Sequence, residues 1–271
     1  MRCAWKREGD ANQQRTLPSR VGEHHWLLGS DAREPRRPHL TKVAQVSSAT
    51  EPSPYRITPM WLYLVRHAQS EANAGVPGAP VDCELTALGR SQAEATAARL
   101  AHFTHLDLIL CSPYIRALET ATAIHRATGA PLAVFPPIHE HHISPFPATW
   151  PLLDRGGLAT RFPHLHIPDD FPTPGWHNPP ETDAQTLSRM GVALASVRER
   201  FATDPDRASR RVCLVSHGSP TGKMVMAFLG QASADPDIRI DNASITILDD
   251  TPGRRAVRGI NWADHLPERT S

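Results

Sequence analysis

Three segments of the chain end an apolar run in residues fit to hold an anion. Leu64-Val65 passes into Arg66-His67 and then the polar stretch Ala68-Gln69-Ser70-Glu71-Ala72-Asn73. Val212-Cys213-Leu214-Val215 ends in Ser216-His217-Gly218-Ser219-Pro220. Leu108-Ile109-Leu110-Cys111 ends in Ser112-Pro113, with Arg116 in the turn beyond. A planar guanidinium can grip two phosphate oxygens at once. A neutral imidazole is a competent nucleophile. A helix opening at Gly218 and Ser219 would present backbone N–H groups and a positive dipole end, which favour phosphate. One such Arg or His at a strand end reads as an ordinary solvating or capping residue. Matched basic residues at three strand ends predict a phosphoryl pocket built from Arg66, His67, Arg116 and His217.

Placing those residues at one mouth requires a particular architecture. From Trp61 onward, apolar runs alternate with helical stretches, which is the pattern of β-α-β units and a mostly parallel sheet. Strands are predicted at Trp61–Val65, Leu106–Cys111, Leu132–Phe135, Val212–Val215 and Ser244–Leu248, with Ala256–Ile260 as an antiparallel edge. Helices are predicted over about 86–103, 114–128, 182–203 and 219–229, opened by Thr86, Ser112-Pro113, Thr182 and Ser219-Pro220. Gly129 and Gly230 should close the second and fourth. Ala93, Ala97 and Leu100 recur at helical spacing and can lie on the sheet. The fold class is thus α/β, a three-layer α/β/α sandwich with a mixed, mostly parallel sheet. In such sheets ligands bind beyond the carboxyl ends of the strands. Residues 141–180 carry many Pro and aromatic residues without a period, and a long loop of this kind is expected to be a lid over the site.

Composition sets the outer limits. The chain has 271 residues, 40% apolar and 21% charged, with a formal net charge of +1. That balance suits a soluble globular protein and gives no field to gather nucleic acid or an anionic membrane. Residues 1–58 hold ten Lys or Arg against six Asp or Glu and show no periodicity, so they are expected to be a disordered extension before a domain at 59–265. No apolar stretch approaches the roughly 20 residues that span a bilayer. The four cysteines show no CxxC spacing, which points to a reducing, cytoplasmic setting. The oligomeric state is not set by anything in the sequence.

The segments quoted above, together with Leu85-Thr86-Ala87-Leu88-Gly89-Arg90, Ser112-Pro113-Tyr114-Ile115-Arg116-Ala117-Leu118-Glu119-Thr120 and Asn242-Ala243-Ser244-Ile245-Thr246, resemble the histidine phosphatase superfamily, which includes phosphoglycerate mutases and small-molecule phosphatases. The resemblance covers roughly residues 61–261 and keeps the family's motif order. It implies that His67 is the nucleophile and that Arg66, Arg116 and His217 bind the phosphoryl group and stabilise its charge in transfer. It implies further that an acid follows the next strand, which here matches Glu140 in Ile138-His139-Glu140, with Glu181 in Pro180-Glu181-Thr182 as the competing acid. Ser70, Asn73 and Gly218 carry over as phosphate or substrate contacts. Ala68 and Gln69 depart from the Arg-His-Gly-Glu version of the motif, which counts against a phosphoglycerate mutase.

Histidine and carboxylate also suit zinc or manganese, and His139-Glu140-His141-His142, His164 and His166 raise that reading. Adjacent residues of an extended segment point to opposite sides, so the spacing is poor and no metal or other cofactor is expected. His141 or His142 is expected to touch substrate phosphate instead. The predicted activity is hydrolysis of a small-molecule phosphomonoester through a phosphohistidine. Phosphoryl transfer of the mutase kind would need cations in the lid to retain a second anionic group, and only Arg155 and Arg161 lie there. A non-catalytic phosphate-binding or scaffold domain is the third reading, against which stands the presence of every catalytic position.

Overall fold

The computed structural model describes residues 59–142, 152–173, 175–177, 180–201, 209–231 and 238–271. The expectations for residues 1–58, and for the lid at 143–151, 174, 178 and 179, fall outside these.

Strand β1 (Met60–Arg66) is an interior strand of the sheet. Its side chains alternate between two cores. Tyr63 and Val65 join one, and Met60, Leu62 and Leu64 the other, so both sheet faces are buried. Helices α1 (Ala87–Phe103) and α2 (Ile115–Thr128) cover the first face through Ala93, Ala97, Leu100, Leu118 and Ile124. Helices α4 (Asp183–Phe201) and α5 (Gly218–Phe228) cover the second through Met190, Leu194, Met224 and Phe228. These are the three predicted layers. A short helix α3 (Arg155–Arg161) and a two-residue strand β4 (Leu165–His166) lie in the stretch that has no sequence period. They form no recognisable pattern because each is shorter than the window in which a period can show.

The sheet order is β4-β3-β2-β5-β1-β6-β7, with β2 at Leu108–Cys111, β3 at Leu132–Val134, β5 at Arg210–Ser216, β6 at Ile245–Thr251 and β7 at Arg254–Trp262. Strands β1 to β5 run parallel; β7 is the antiparallel edge expected at Ala256–Ile260, and the interior strand β6 is antiparallel as well, which the sequence reading did not anticipate. In the parallel register Arg66 sits opposite Ser216, and Cys111 opposite Val215. The ends of β1, β2 and β5 are therefore level, and His67, Ser112 and His217 leave the sheet side by side.

Caps explain the helix starts, with two departures from expectation. The Thr86 side chain accepts from Gly89 N at 2.9 Å, and Thr182 and Gln185 form a reciprocal capping box. Helix α2, by contrast, has no side-chain cap of its own. Asp82, far away in sequence, accepts from Ile115 N at 2.7 Å instead of Ser112. Helix α5 begins at Gly218, with His217 rather than Ser219 at the cap position. The C-terminal residues stay attached past 265. Asn242 N donates to Thr270 O, and the Gln92 amide to Glu268 O and Thr270 Oγ1.

Candidate active site

His67 is 2% exposed and held from every side. Its backbone N donates to Ser216 O at 2.9 Å, continuing the β1–β5 pairing one residue beyond the strands. Its backbone oxygen accepts from Asn242 Nδ2 at 3.1 Å and Ala243 N at 3.2 Å. The ring Nδ1 lies 2.7 Å from Ala68 O. A carbonyl can only accept, so Nδ1 carries the proton and Nε2 keeps its lone pair. Burial first, and then the charges of Arg116, His217 and Arg66, hold the imidazole well below its ordinary pKa. His67 is therefore neutral at physiological pH with Nε2 facing the pocket.

The Arg116 guanidinium is fastened by Nε to His67 Nε2 at 3.2 Å and by Nη1 to Val81 O at 3.0 Å. It lies over the Tyr114 ring, 4.4 Å from its centre. Arg66 donates through Nη1 to Ile240 O at 2.5 Å, while its buried Nε has no partner among the described residues. A buried donor left without an acceptor is costly. This one lies beside Gly218, where an added Cβ would stand 3.4 Å from it. An anion at the start of α5 would satisfy it.

His217 is fully buried, with Nε2 2.7 Å from Ser112 Oγ and its ring 5.0 Å from that of His67. Burial, followed by Arg116, lowers its pKa to about 4 against the opposing pull of Glu140. Its Nδ1 faces Glu140 Oε2 at 3.3 Å, outside good hydrogen-bond alignment. Glu140 Oε2 is also 3.5 Å from Arg116 Nη2, and Oε1 accepts from His141 N at 3.0 Å. Burial raises the pKa of this carboxyl, but the adjoining His217 ring and the Arg116 guanidinium outweigh it and hold the group well below the ordinary carboxylate range. Two guanidiniums, one carboxylate and two neutral imidazoles leave the pocket with an excess of positive charge suited to a phosphate dianion.

The other predicted residues divide. Asn73 Oδ1 accepts from Ser70 Oγ at 3.0 Å and Asn242 Nδ2 at 3.0 Å, so Ser70 and Asn73 brace the loop behind His67. Glu181 lies outside the pocket in a two-pronged pair with Arg189 at 2.7 and 2.6 Å, and it also accepts from Thr186. His141 bonds Glu181 O at 2.9 Å, and His142 the Tyr114 hydroxyl at 3.0 Å. His164 stacks on His125 away from the pocket. Sequence reasoning did not single out Ser112, Tyr114 or Asn242 as site residues. The signal available was their place beside a strand end, which is weak for any one residue.

The ligand atoms of His67, Glu140 and His217 fall within 4.8 Å of one another, a spacing that a metal ion could bridge. The surroundings argue against it. The His67 lone pair already faces the Arg116 guanidinium, and Arg66 adds a second fixed positive charge. A cation would enter against both.

The comparisons with known proteins bear on the family and the fold. The chain is 33% identical over 183 residues to a glucosyl-3-phosphoglycerate phosphatase of Mycolicibacterium vanbaalenii, covering 62% of this chain and 74% of that protein. It is 36% identical over 189 residues to a provisionally named phosphoserine phosphatase 2 of Hydrogenobacter thermophilus, covering 68% and 87%. A solved mycobacterial glucosyl-3-phosphoglycerate phosphatase complexed with VO3 superposes with a TM-score of 0.52 at 25% identity, over 75% of this chain and 99% of that one. The model of the histidine phosphatase superfamily, branch 1, matches residues 62–263, which span β1 to the end of β7 and hold every pocket residue, and the chain belongs to that family.

Proposed function

We propose that this phosphatase hydrolyses a small-molecule phosphomonoester through a phosphorylated His67, without a metal. The observation that carries the reading is the His67 tautomer, with the Nδ1 proton tied to Ala68 O and the Nε2 lone pair aimed into a cationic pocket. The phosphate binds to Arg66, Arg116, the His217 N–H and the start of α5. His67 Nε2 attacks phosphorus in line, the N–P bond forms and the ester P–O bond breaks. Arg66 and Arg116 take up the charge spreading over the equatorial oxygens.

The departing oxygen needs a proton, and Glu140 stands nearest to supply it. In the free site that carboxyl is ionised. A phosphate dianion brings like charge against it and occupies the cations that had stabilised it, so binding drives the carboxyl to take up a proton. The proton passes to the leaving alkoxide, and the carboxylate then removes one from the water that breaks the N–P bond. Glu181 is unsuited to this part, because both its oxygens are engaged by Arg189 and Thr186.

Hydrolysis is favoured over mutase transfer by the state of the two lid cations. Arg161 is paired with Glu84 at 2.6 Å and Glu119 at 2.9 Å, and Arg155 donates to the Ile167 and Pro168 carbonyls. Neither is free to retain a released product. The names of the relatives, which refer to glucosyl-3-phosphoglycerate and phosphoserine, support a small phosphorylated metabolite as substrate. The test is p-nitrophenyl phosphate hydrolysis in EDTA, together with acid-labile phosphate on the quenched protein. Activity should resist EDTA, and His67→Ala should lower it by on the order of 10^4 or more and abolish the labelled protein. Activity abolished by EDTA would overturn the metal-free mechanism.

A further inference from the structure

We propose that Lys223, beside His141 and Ser219, forms a subsite for a carboxylate carried by the substrate, now occupied by the chain's own Asp183. The inference rests on the phosphatase reading and names the class of ester it favours.

Lys223 is 8% exposed, an unusual place for an ammonium, and the mechanism makes no use of it. Its Nζ has three donors. Its one partner among the described residues is Asp183 Oδ1 at 2.9 Å. Asp183 is the reverse case, with its side chain 60% exposed at the first position of α4. A buried cation whose counter-ion stands at the surface has already lost its own hydration. Exchanging that carboxylate for another therefore costs little beyond returning Asp183 to water.

The position fits a substrate held by its phosphate at the start of α5. Ser219 follows Gly218 there, and Lys223 lies four residues on, on the same helix face. Helical side chains lean toward the N-terminus, which brings the ammonium back toward the phosphate end. His141 joins the two, with Nδ1 3.3 Å from Ser219 Oγ and 3.5 Å from the Asp183 oxygen that Lys223 holds. A cavity of about 300 Å³, lined by His141, Pro180, Glu181, Thr182, Asp183 and Gln185, adjoins the Asp183 carboxylate that Lys223 holds. The Glu181 carboxylate belongs to Arg189 and does not compete for the ammonium.

Two substitutions should act in opposite directions. O-Phospho-L-serine and ethyl phosphate, which lacks a carboxylate, are titrated into protein carrying His67→Ala to stop turnover, and the ratio of their affinities is read. Lys223→Met should lower the preference for phosphoserine roughly tenfold to a hundredfold, the range for losing one charge-assisted bond. Asp183→Asn, at an exposed position that should leave folding intact, should raise the preference several-fold by removing the internal competitor. A ratio that neither variant moves, while ethyl phosphate still binds, overturns the subsite alone. Failure of ethyl phosphate to bind before either substitution overturns the phosphate pocket, and the subsite with it.

Discussion

The pocket has a floor and a wall, and they are held by different means. The floor, formed by Arg66, His67, Ser112 and His217, continues three central strands, and ladder hydrogen bonds fix its backbone as far as His67 and Ser112. The wall, from His139 to His142, has no regular structure after the 3-10 turn at Pro136–Ile138 and is tied down by side chains. Arg189 Nη1 donates to Pro137 O at 2.7 Å and His139 O at 3.1 Å, and the same guanidinium grips Glu181. Glu181 N in turn donates to His142 O at 2.8 Å. On the mechanism proposed above, the two carboxylates serve one purpose at different removes, Glu140 as the acid and Glu181 as the anchor of the wall that carries it.

The largest effect that would break this comparison comes from exchanging the two carboxylates' substitutions. Glu140→Gln should lower kcat by about 10^2 to 10^4 and leave the melting temperature nearly unchanged, since the role proposed for it is proton transfer. Glu181→Gln should cost about 1–3 kcal/mol of stability, by leaving Arg189 short of a charged acceptor, while kcat falls less than tenfold. Kinetics with a well-activated aryl phosphate sharpens the contrast. A good leaving group needs no acid, so the Glu140→Gln defect in the first step should shrink there and the Glu181→Gln defect should not. The opposite pattern would make Glu181 the acid.

Acid should expose both regions at once. His217 on the floor and His139 in the wall are each lowered from the ordinary 6.5 to about 4, in both cases chiefly by burial. Between those values the unfolded chain binds protons that the fold refuses, so stability present above pH 6.5 is lost as pH falls toward 4. The melting temperature should drop steadily across that window. His139→Gln should flatten the slope by about one proton without touching the pocket chemistry. A melting temperature flat from pH 6.5 to 4 would refute the account.

The floor was legible in the sequence, because continuous apolar runs ending in Arg-His and Ser-His state both the strand and its chemistry. The wall was legible only in part. Glu140 was found through resemblance to a known motif, whereas its supports were not, since Arg189 acts over about 50 residues and Asp82 caps α2 across 33. Asn242, which ties His67 O to Asn73, was visible in a motif but not as part of the site, because its role depends on a backbone oxygen that no side-chain pattern reveals. Asn242→Ala should therefore lower kcat by about tenfold with little change in KM, a positioning effect smaller than that of either pocket acid or nucleophile.

The smallest expected effect concerns the lid cation on which the mutase reading depends. Arg161 is one-third exposed and bonded to Glu84 and Glu119, both of which also reach solvent. Exposed pairs of this kind are worth roughly 0.2–1 kcal/mol each, because long side chains must be ordered and water screens the charges. Arg161→Ala should shift stability by no more than that and leave kcat and KM within about twofold. A marked rise in KM for a carboxylated or doubly phosphorylated ester would mean that Arg161 leaves its partners to hold substrate. The lid would then carry a retaining cation, and the case for water over a second acceptor would weaken. An unchanged KM, measured alongside the Lys223→Met preference, would place recognition of the substrate's second group on the α5 side of the pocket rather than in the lid.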